Sequence, residues 1–166
     1  MAFAGELPLV AEDLGTITRD VVELKDALDL PGMAVLQFAF DPAERSTFLP
    51  HNHVRNLVVY TGTHDNNTAV GWWRHEAGGG QRSFFSRYTG STGEEIHWDL
   101  IRLALSSVAD LAVVPHQDVV GLDESFRMNT PGTATGNWRF RLSGAMVAAS
   151  LRDRLADLVE VYSRRS

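Results

Sequence analysis

The sequence predicts an α/β domain with about four parallel strands and flanking helices. Three observations carry this. Short apolar runs alternate with stretches of helical periodicity, in the order strand, helix, strand, loop, strand, helices, strand, helix; that is the grammar of a parallel sheet. The run at residues 33–40 is apolar on both faces, as a strand covered on both sides must be. Two runs, Leu9-Val-Ala-Glu12-Asp13 and Leu57-Val-Val-Tyr-Thr-Gly-Thr-His64-Asp65, stop abruptly at carboxylates beside Gly, Thr and Asn. A buried strand whose C-terminal tip delivers an acid into a cleft has this pattern, and strand–helix barrel enzymes keep their catalytic groups at those tips.

The first strand is expected at residues 7–11. Thr18 then reads as an N-cap, with Asp20 in the first turn and Val21, Leu24 and Leu28 on one helical face. Pro31-Gly32 ends that helix and residues 33–40 form the second strand, stopped by Asp41-Pro42. A polar loop leads to the third strand at residues 57–60. Helix follows around residues 69–75, and Gly78-Gly-Gly80 reads as a flexible break. Residues 94–109 form a longer helix with Ile96, Leu100, Leu103 and Val108 inward. The fourth strand, 111–115, ends at His116-Gln117-Asp118. Ser143 is expected to cap a final amphipathic helix with Leu151, Leu155, Leu158 and Tyr162 on one side. All 166 residues are read as one domain.

Composition narrows the function. The chain has 44% hydrophobic and 22% charged residues, as ordinary globular proteins do. A net charge of -6 supplies no basic stripe for a phosphate backbone, so no nucleic-acid partner is expected. No apolar run approaches the roughly 18 residues of a membrane span, and the N-terminus has no basic region of a secretory signal. Zero cysteines remove any disulfide framework and fit a cytoplasmic location.

Glu12 stands where the first strand runs out. It reads either as a general acid, kept protonated by burial and neighbouring charge, or as an exposed or helix-capping carboxylate. Asp13 reads as a partner that supports Glu12 from behind, as a sugar-hydroxyl acceptor, or as a partner of the turn amides at residues 15–18. His64 and Asp65, among Thr63, Asn66 and Asn67, offer dense hydrogen bonding for vicinal hydroxyls; the alternative is an Asx-type turn opening the next helix. His51-Asn52-His53 is a metal lure that precedes a strand instead of ending one. Trp72, Trp73 and Trp138 are sugar platforms or core residues. Gln117-Asp118 is a polar rim of the same cleft or a turn. The basic residues Arg152, Arg154, Arg164 and Arg165 alternate with acids as a solvated helix face does.

Five stretches, in order along the chain, resemble the amylomaltases, also called disproportionating enzymes or 4-α-glucanotransferases. They are Val10-Ala-Glu-Asp-Leu-Gly15, Leu30-Pro-Gly-Met-Ala-Val-Leu-Gln-Phe38, Tyr60-Thr-Gly-Thr-His-Asp-Asn66, Pro115-His-Gln-Asp118, and Met128-Asn-Thr-Pro-Gly132 with Gly136-Asn-Trp138. The resemblance implies half of a (β/α)8 TIM barrel, the C-terminal half, with the N-terminal half absent. It implies that Glu12 is the acid/base residue and Asp65 the transition-state-stabilising aspartate, with Asp13, His64 and Asn137 as substrate contacts. The family's nucleophilic aspartate lies in an Arg-x-Asp-His motif that this sequence does not contain. Implied partners are α-1,4-glucans and maltooligosaccharides, with no cofactor and no metal. An uncovered half-barrel face leads to an expectation of self-association. A non-catalytic glucan-binding or assembly module and a His/Asp metal hydrolase stand as alternatives.

Overall fold

A computed structural model of the protein describes residues 9–43, 46–146 and 148–164. Its main elements are α1 (Arg19–Ala27), β1 (Gly32–Val35), β2 (Leu57–Tyr60), α2 (Ala69–Gly71), α3 (Gly79–Thr89), α4 (Ile96–Ser106), β3 (Leu111–Val113), α5 (His116–Val120) and α6 (Ala149–Val161). The strands form one parallel sheet ordered β1-β2-β3, with Gly32 opposite Leu57 and Val58 opposite Leu111. The architecture is α/β, as expected, but the described residues hold three strands instead of four.

The missing strand has a local cause. Residues 7 and 8 of the expected first strand lie outside the described residues. Leu9, Val10 and Ala11 do not join the sheet, although the Ala11 N–H donates to the Pro31 carbonyl (2.9 Å). Beyond it, Asp13 Oδ1 accepts the Met33 N–H at 2.7 Å. A side chain thus takes the β1 donor that a neighbouring strand's carbonyl would have used. Gly32 makes this approach possible, because a Cβ there would collide with the Asp13 carboxylate.

The second strand is also shorter than expected. After Val35 the chain tightens into a 3-10 turn, Leu36–Phe38, which folds Phe40 into the core. Phe40 is fully buried, edge-on to Phe85 at 4.9 Å and beside Trp72 and Tyr88. The glycine run at 78–80 does not break the chain. The Gln81 side chain accepts the Gly78 N–H (2.9 Å), so the run opens α3, which ends at Gly90 with φ +76°. Burial of Phe85 on the inner side of α3 supplies the driving force that three glycines lack.

Helix α4 is the hub. Ile96, Leu100 and Ala104 enter the larger core with Ala34, Leu36, Val59 and Phe85. Trp98, Ile101 and Leu105 meet a second cluster built from Val119 and the Leu151, Leu155, Leu158 and Tyr162 face of α6. That face is as read from the sequence. The start of α6 is not: Ser143 opens a 3-10 turn (Gly144–Met146), and α6 begins six residues later. Val108 is exposed because α4 ends at Ser106, before reaching it.

Two arginines expected to be solvated do structural work. Arg154 pairs with both oxygens of Glu95 at 2.7 Å and lies 4.3 Å over the Trp98 ring. Arg164 donates to the carbonyls of Leu105, Ser107 and Ala109, closing the C-terminal end of α4. Arg165 lies outside the described residues. Helix α1 buries none of its residues: Val21, Leu24 and Leu28 face solvent, and Leu111 of β3 is exposed as well. Among the described residues no helix is long and apolar enough to cross a membrane.

Candidate active site

Parallel strands place their C-terminal ends on one side, and a cleft of about 1170 Å³ opens there. Its lining includes Glu12 from the segment before α1, Tyr60 and Gly62 to Thr68 at and past the end of β2, Val113, Pro115, Gln117 and Asp118 at and past the end of β3, and Trp138 from the long loop before α6. Glu12, His64 and Asp65, expected from sequence to share a site, therefore line one cavity.

The loop after β2 shows why Asp65 is available. Asn66 Oδ1 accepts both the Thr63 N–H and the Thr63 hydroxyl at 2.8 Å, closing the turn. Thr68 Oγ1 accepts the Gly71 N–H and caps α2. The turn and cap duties that Asp65 was weighed for fall to Asn66 and Thr68. Its carboxylate is left at the apex, where Oδ1 accepts from Asn129 Nδ2 at 2.5 Å and lies 3.4 Å from His64 Nε2.

Two positioning residues escaped the sequence reading. The Asn129 N–H donates to the His64 carbonyl, while its side chain holds Asp65. Arg127 donates to the Asp65 carbonyl (2.7 Å), to the Asn129 carbonyl (2.8 Å) and to Glu76 Oε1 (3.3 Å). The only sequence signal was the Met128-Asn-Thr-Pro-Gly132 stretch, which marks a turn without saying what it clasps.

Trp138 presents an exposed aromatic face to the cleft. It is 55% exposed, lies 5.1 Å from the His64 ring and has φ +59°, a strained value for a bulky residue. Its N–H donates to the Met128 carbonyl, which fixes that backbone. Trp72, by contrast, is buried, and Trp73 packs against the same core.

Three of the expected site residues lie outside the cleft lining or at its edge. Asp13 does not line the cleft; through Met33 it ties the Glu12 segment to β1. Asn137 does not line it either. Its Oδ1 accepts the Thr130 N–H and its Nδ2 donates to the Thr133 carbonyl, stapling the loop that presents Trp138. Both short polar side chains bond to backbone groups, Asp13 to a residue distant in sequence and Asn137 within its own loop. Glu12 lines the cleft and is exposed at its rim.

The cleft floor is anchored by Asp118, only 1% exposed. Its Oδ2 accepts from the Thr61 hydroxyl (2.6 Å) and its Oδ1 from the Ala69 N–H (2.8 Å), tying α5 to the end of β2 and the start of α2. Burial pushes its carboxyl above the ordinary 3.8, against the two hydrogen bonds that favour the charged form. The His-x-His pair does not converge: His51 meets the Tyr88 hydroxyl, whereas His53 is held by Ser107 Oγ and the Phe48 carbonyl. Burial lowers the His53 pKa below 6.5, so the ring is neutral at pH 7, with Nε2–H donating to Phe48. Among the described residues no three His, Asp or Glu side chains converge as metal ligands.

With this geometry in place, relatives can be compared. A family profile described as 4-alpha-glucanotransferase matches residues 2–147. The chain belongs to the 4-alpha-glucanotransferase family. A rice chloroplastic/amyloplastic 4-alpha-glucanotransferase is 48% identical over 163 residues, 96% of this chain and 27% of the relative. A Synechocystis 4-alpha-glucanotransferase is 48% identical over 165 residues, 99% of this chain and 33% of the relative. The amylomaltase of Streptococcus agalactiae, solved in complex with acarbose, superposes with a TM-score of 0.91 at 29% identity; it covers 98% of this chain and 33% of that one. The chain spans about a third of the length of the glucanotransferases it matches.

Proposed function

We propose that this chain supplies the acid/base and ring-stabilising groups of a 4-α-glucanotransferase that moves α-1,4-glucan segments between maltooligosaccharides. The observation that carries the reading is the shared cleft: Glu12, His64, Asp65 and Trp138 line one cavity past the strand ends. A sugar ring needs an aromatic face, hydroxyl partners and carboxylates, and this cavity offers all three.

In a retaining double displacement, a carboxylate from outside this chain attacks the anomeric carbon. The bond from that carbon to the glycosidic oxygen breaks, and Glu12 gives its proton to the departing oxygen. Glu12, now a carboxylate, takes the proton from the 4-hydroxyl of a second glucan. That oxygen attacks the anomeric carbon and frees the nucleophile. Asp65, oriented by Asn129 and Arg127, accepts hydrogen bonds from ring hydroxyls that strengthen as positive charge develops. Preorganised groups of this kind contribute about 2–4 kcal/mol. No step requires a cofactor.

In this reading the sheet is part of a (β/α)8 barrel, and the exposed apolar residues of α1 and β3 are what the rest of the barrel covers. Alone, they favour self-association of this chain. Absence of cysteine accords with a cytoplasmic location, although the rice relative is chloroplastic. The 166-residue chain, incubated with maltotriose, is expected to form neither glucose nor longer oligosaccharides, because no Arg-x-Asp-His nucleophile occurs in it. Chromatography of the products checks this. Both products appearing, and disappearing with Glu12→Gln, would show that a nucleophile outside this scheme is at work.

A further inference from the structure

The helix that follows the Asp65 loop is not regular. Helix α2 runs directly into a π-turn, Trp72–Glu76, in which the Ala77 N–H reaches back five residues to the Trp72 carbonyl at 2.8 Å. Such wide turns are rare and occur frequently at functional sites. This one ends on Glu76, whose Oε1 accepts from Asn67 Nδ2 at 2.8 Å and from Arg127 Nη1 at 3.3 Å. One oxygen therefore joins the two segments that hold Asp65, residues 63–68 and residues 127–129. On the first side, Asn67 is buried and fixed: its Oδ1 accepts the Thr68 N–H and its carbonyl accepts from Gln37 Nε2. Gly71 lets it lie there, because a Cβ at 71 would strike Asn67 Oδ1. On the second side, Arg127 gives two further donors to the Asp65 and Asn129 carbonyls, and Asn129 Nδ2 holds the Asp65 carboxylate.

We propose that Glu76 is a positioning residue for the glucan reaction: by gripping Asn67 and Arg127 together, it fixes the direction in which Asp65 meets the sugar ring. Glu76 does not line the main cleft, so it acts only through these neighbours. The grip depends on reach and on an acceptor oxygen. Glutamine keeps both, aspartate shortens the arm by one methylene, and alanine removes the oxygen. Glu76 is exposed, so none of these changes opens a core cavity. The proposal rests on the glucan reading of the main cleft and extends it to a residue outside that cleft.

The test compares the 166-residue wild type with Glu76→Ala, Glu76→Gln and Glu76→Asp. It reads solvent exchange of individual N–H groups by NMR, and maltohexaose binding by calorimetric titration. The Arg127 Nε–H and Asn129 Nδ2–H signals report on the clamp, and the amide of Leu100, buried within α4, reports on global opening. Glu76→Ala and Glu76→Asp are expected to speed exchange at Arg127 and Asn129 roughly tenfold while leaving Leu100 unchanged. Both are expected to bind maltohexaose roughly fivefold more weakly. Glu76→Gln is expected to recover most of each loss. Unchanged exchange at Arg127 and Asn129 in Glu76→Ala overturns the proposal, as does a loosened clamp with wild-type affinity. Exchange that rises equally at Leu100, or a glutamine variant that behaves as the alanine one, overturns it too. Failure of the folded wild type to bind maltohexaose is a separate outcome: it sinks the glucan reading itself, and the positioning role with it.

Discussion

Asp118→Ala is expected to lower the unfolding free energy by about 3 kcal/mol, the largest loss from any single polar side chain around the cleft. Two buried donors, the Thr61 hydroxyl and the Ala69 N–H, would lose their acceptor together. Each orphaned group costs about 1–3 kcal/mol, and relief of the buried charge returns part of the sum. The damage is local to function as well, because Thr61 leads into the Asp65 loop and Ala69 begins the helix that follows it.

The same residue has a signed pH dependence. Its folded pKa lies above the ordinary 3.8, so between the two values the folded chain binds more protons than the unfolded one. The stability held by protonated Asp118 is complete below 3.8 and is lost as pH rises through the raised folded value. Asp118→Asn, which cannot ionise, should therefore flatten the decline of stability on the alkaline side of pH 3.8. Urea unfolding across a pH series measures both effects. An alanine variant as stable as wild type, or an asparagine variant that declines as steeply, would show that Asp118 is not the tie the geometry describes.

Trp138→Ala is expected to weaken maltohexaose binding by about 2 kcal/mol, roughly thirtyfold, while leaving the thermal midpoint nearly unchanged. The indole is over half exposed and packs on His64, so its removal opens no core cavity. Trp138→Phe keeps a flat apolar face and should recover most of the affinity. Trp72→Ala provides the contrast: it empties a buried site beside Phe40 and should cost about 3–5 kcal/mol of stability. Calorimetry and thermal melts separate the two tryptophans. Equal binding by wild type and Trp138→Ala would remove Trp138 as the sugar platform.

Much of the architecture was legible because periodicity and burial agree. The α4 pattern, the α6 face and the 57–60 strand are each driven by apolar contacts that a sequence displays openly. What was hidden was decided by side chains acting on backbone at a distance in sequence. Asp13 replaces a strand's carbonyl at Met33, twenty residues away. Asn129 and Arg127 orient Asp65 from more than sixty residues along the chain. Asn137 has the residue type of a ligand contact yet spends its amide on its own loop. Local spacing carries no trace of such pairings. Gln81 misled for a related reason: its bond back to Gly78 turns an apparent hinge into a helix start.

The central claim is that Glu12 and Asp65 act on one sugar ring. A crystal structure of the chain soaked with maltotriose tests it directly. The account predicts a single glucosyl ring within hydrogen-bonding distance of both carboxylates, with the Trp138 indole against its face. Sugar bound with the two carboxylates on different rings, or seated away from both, would contradict it.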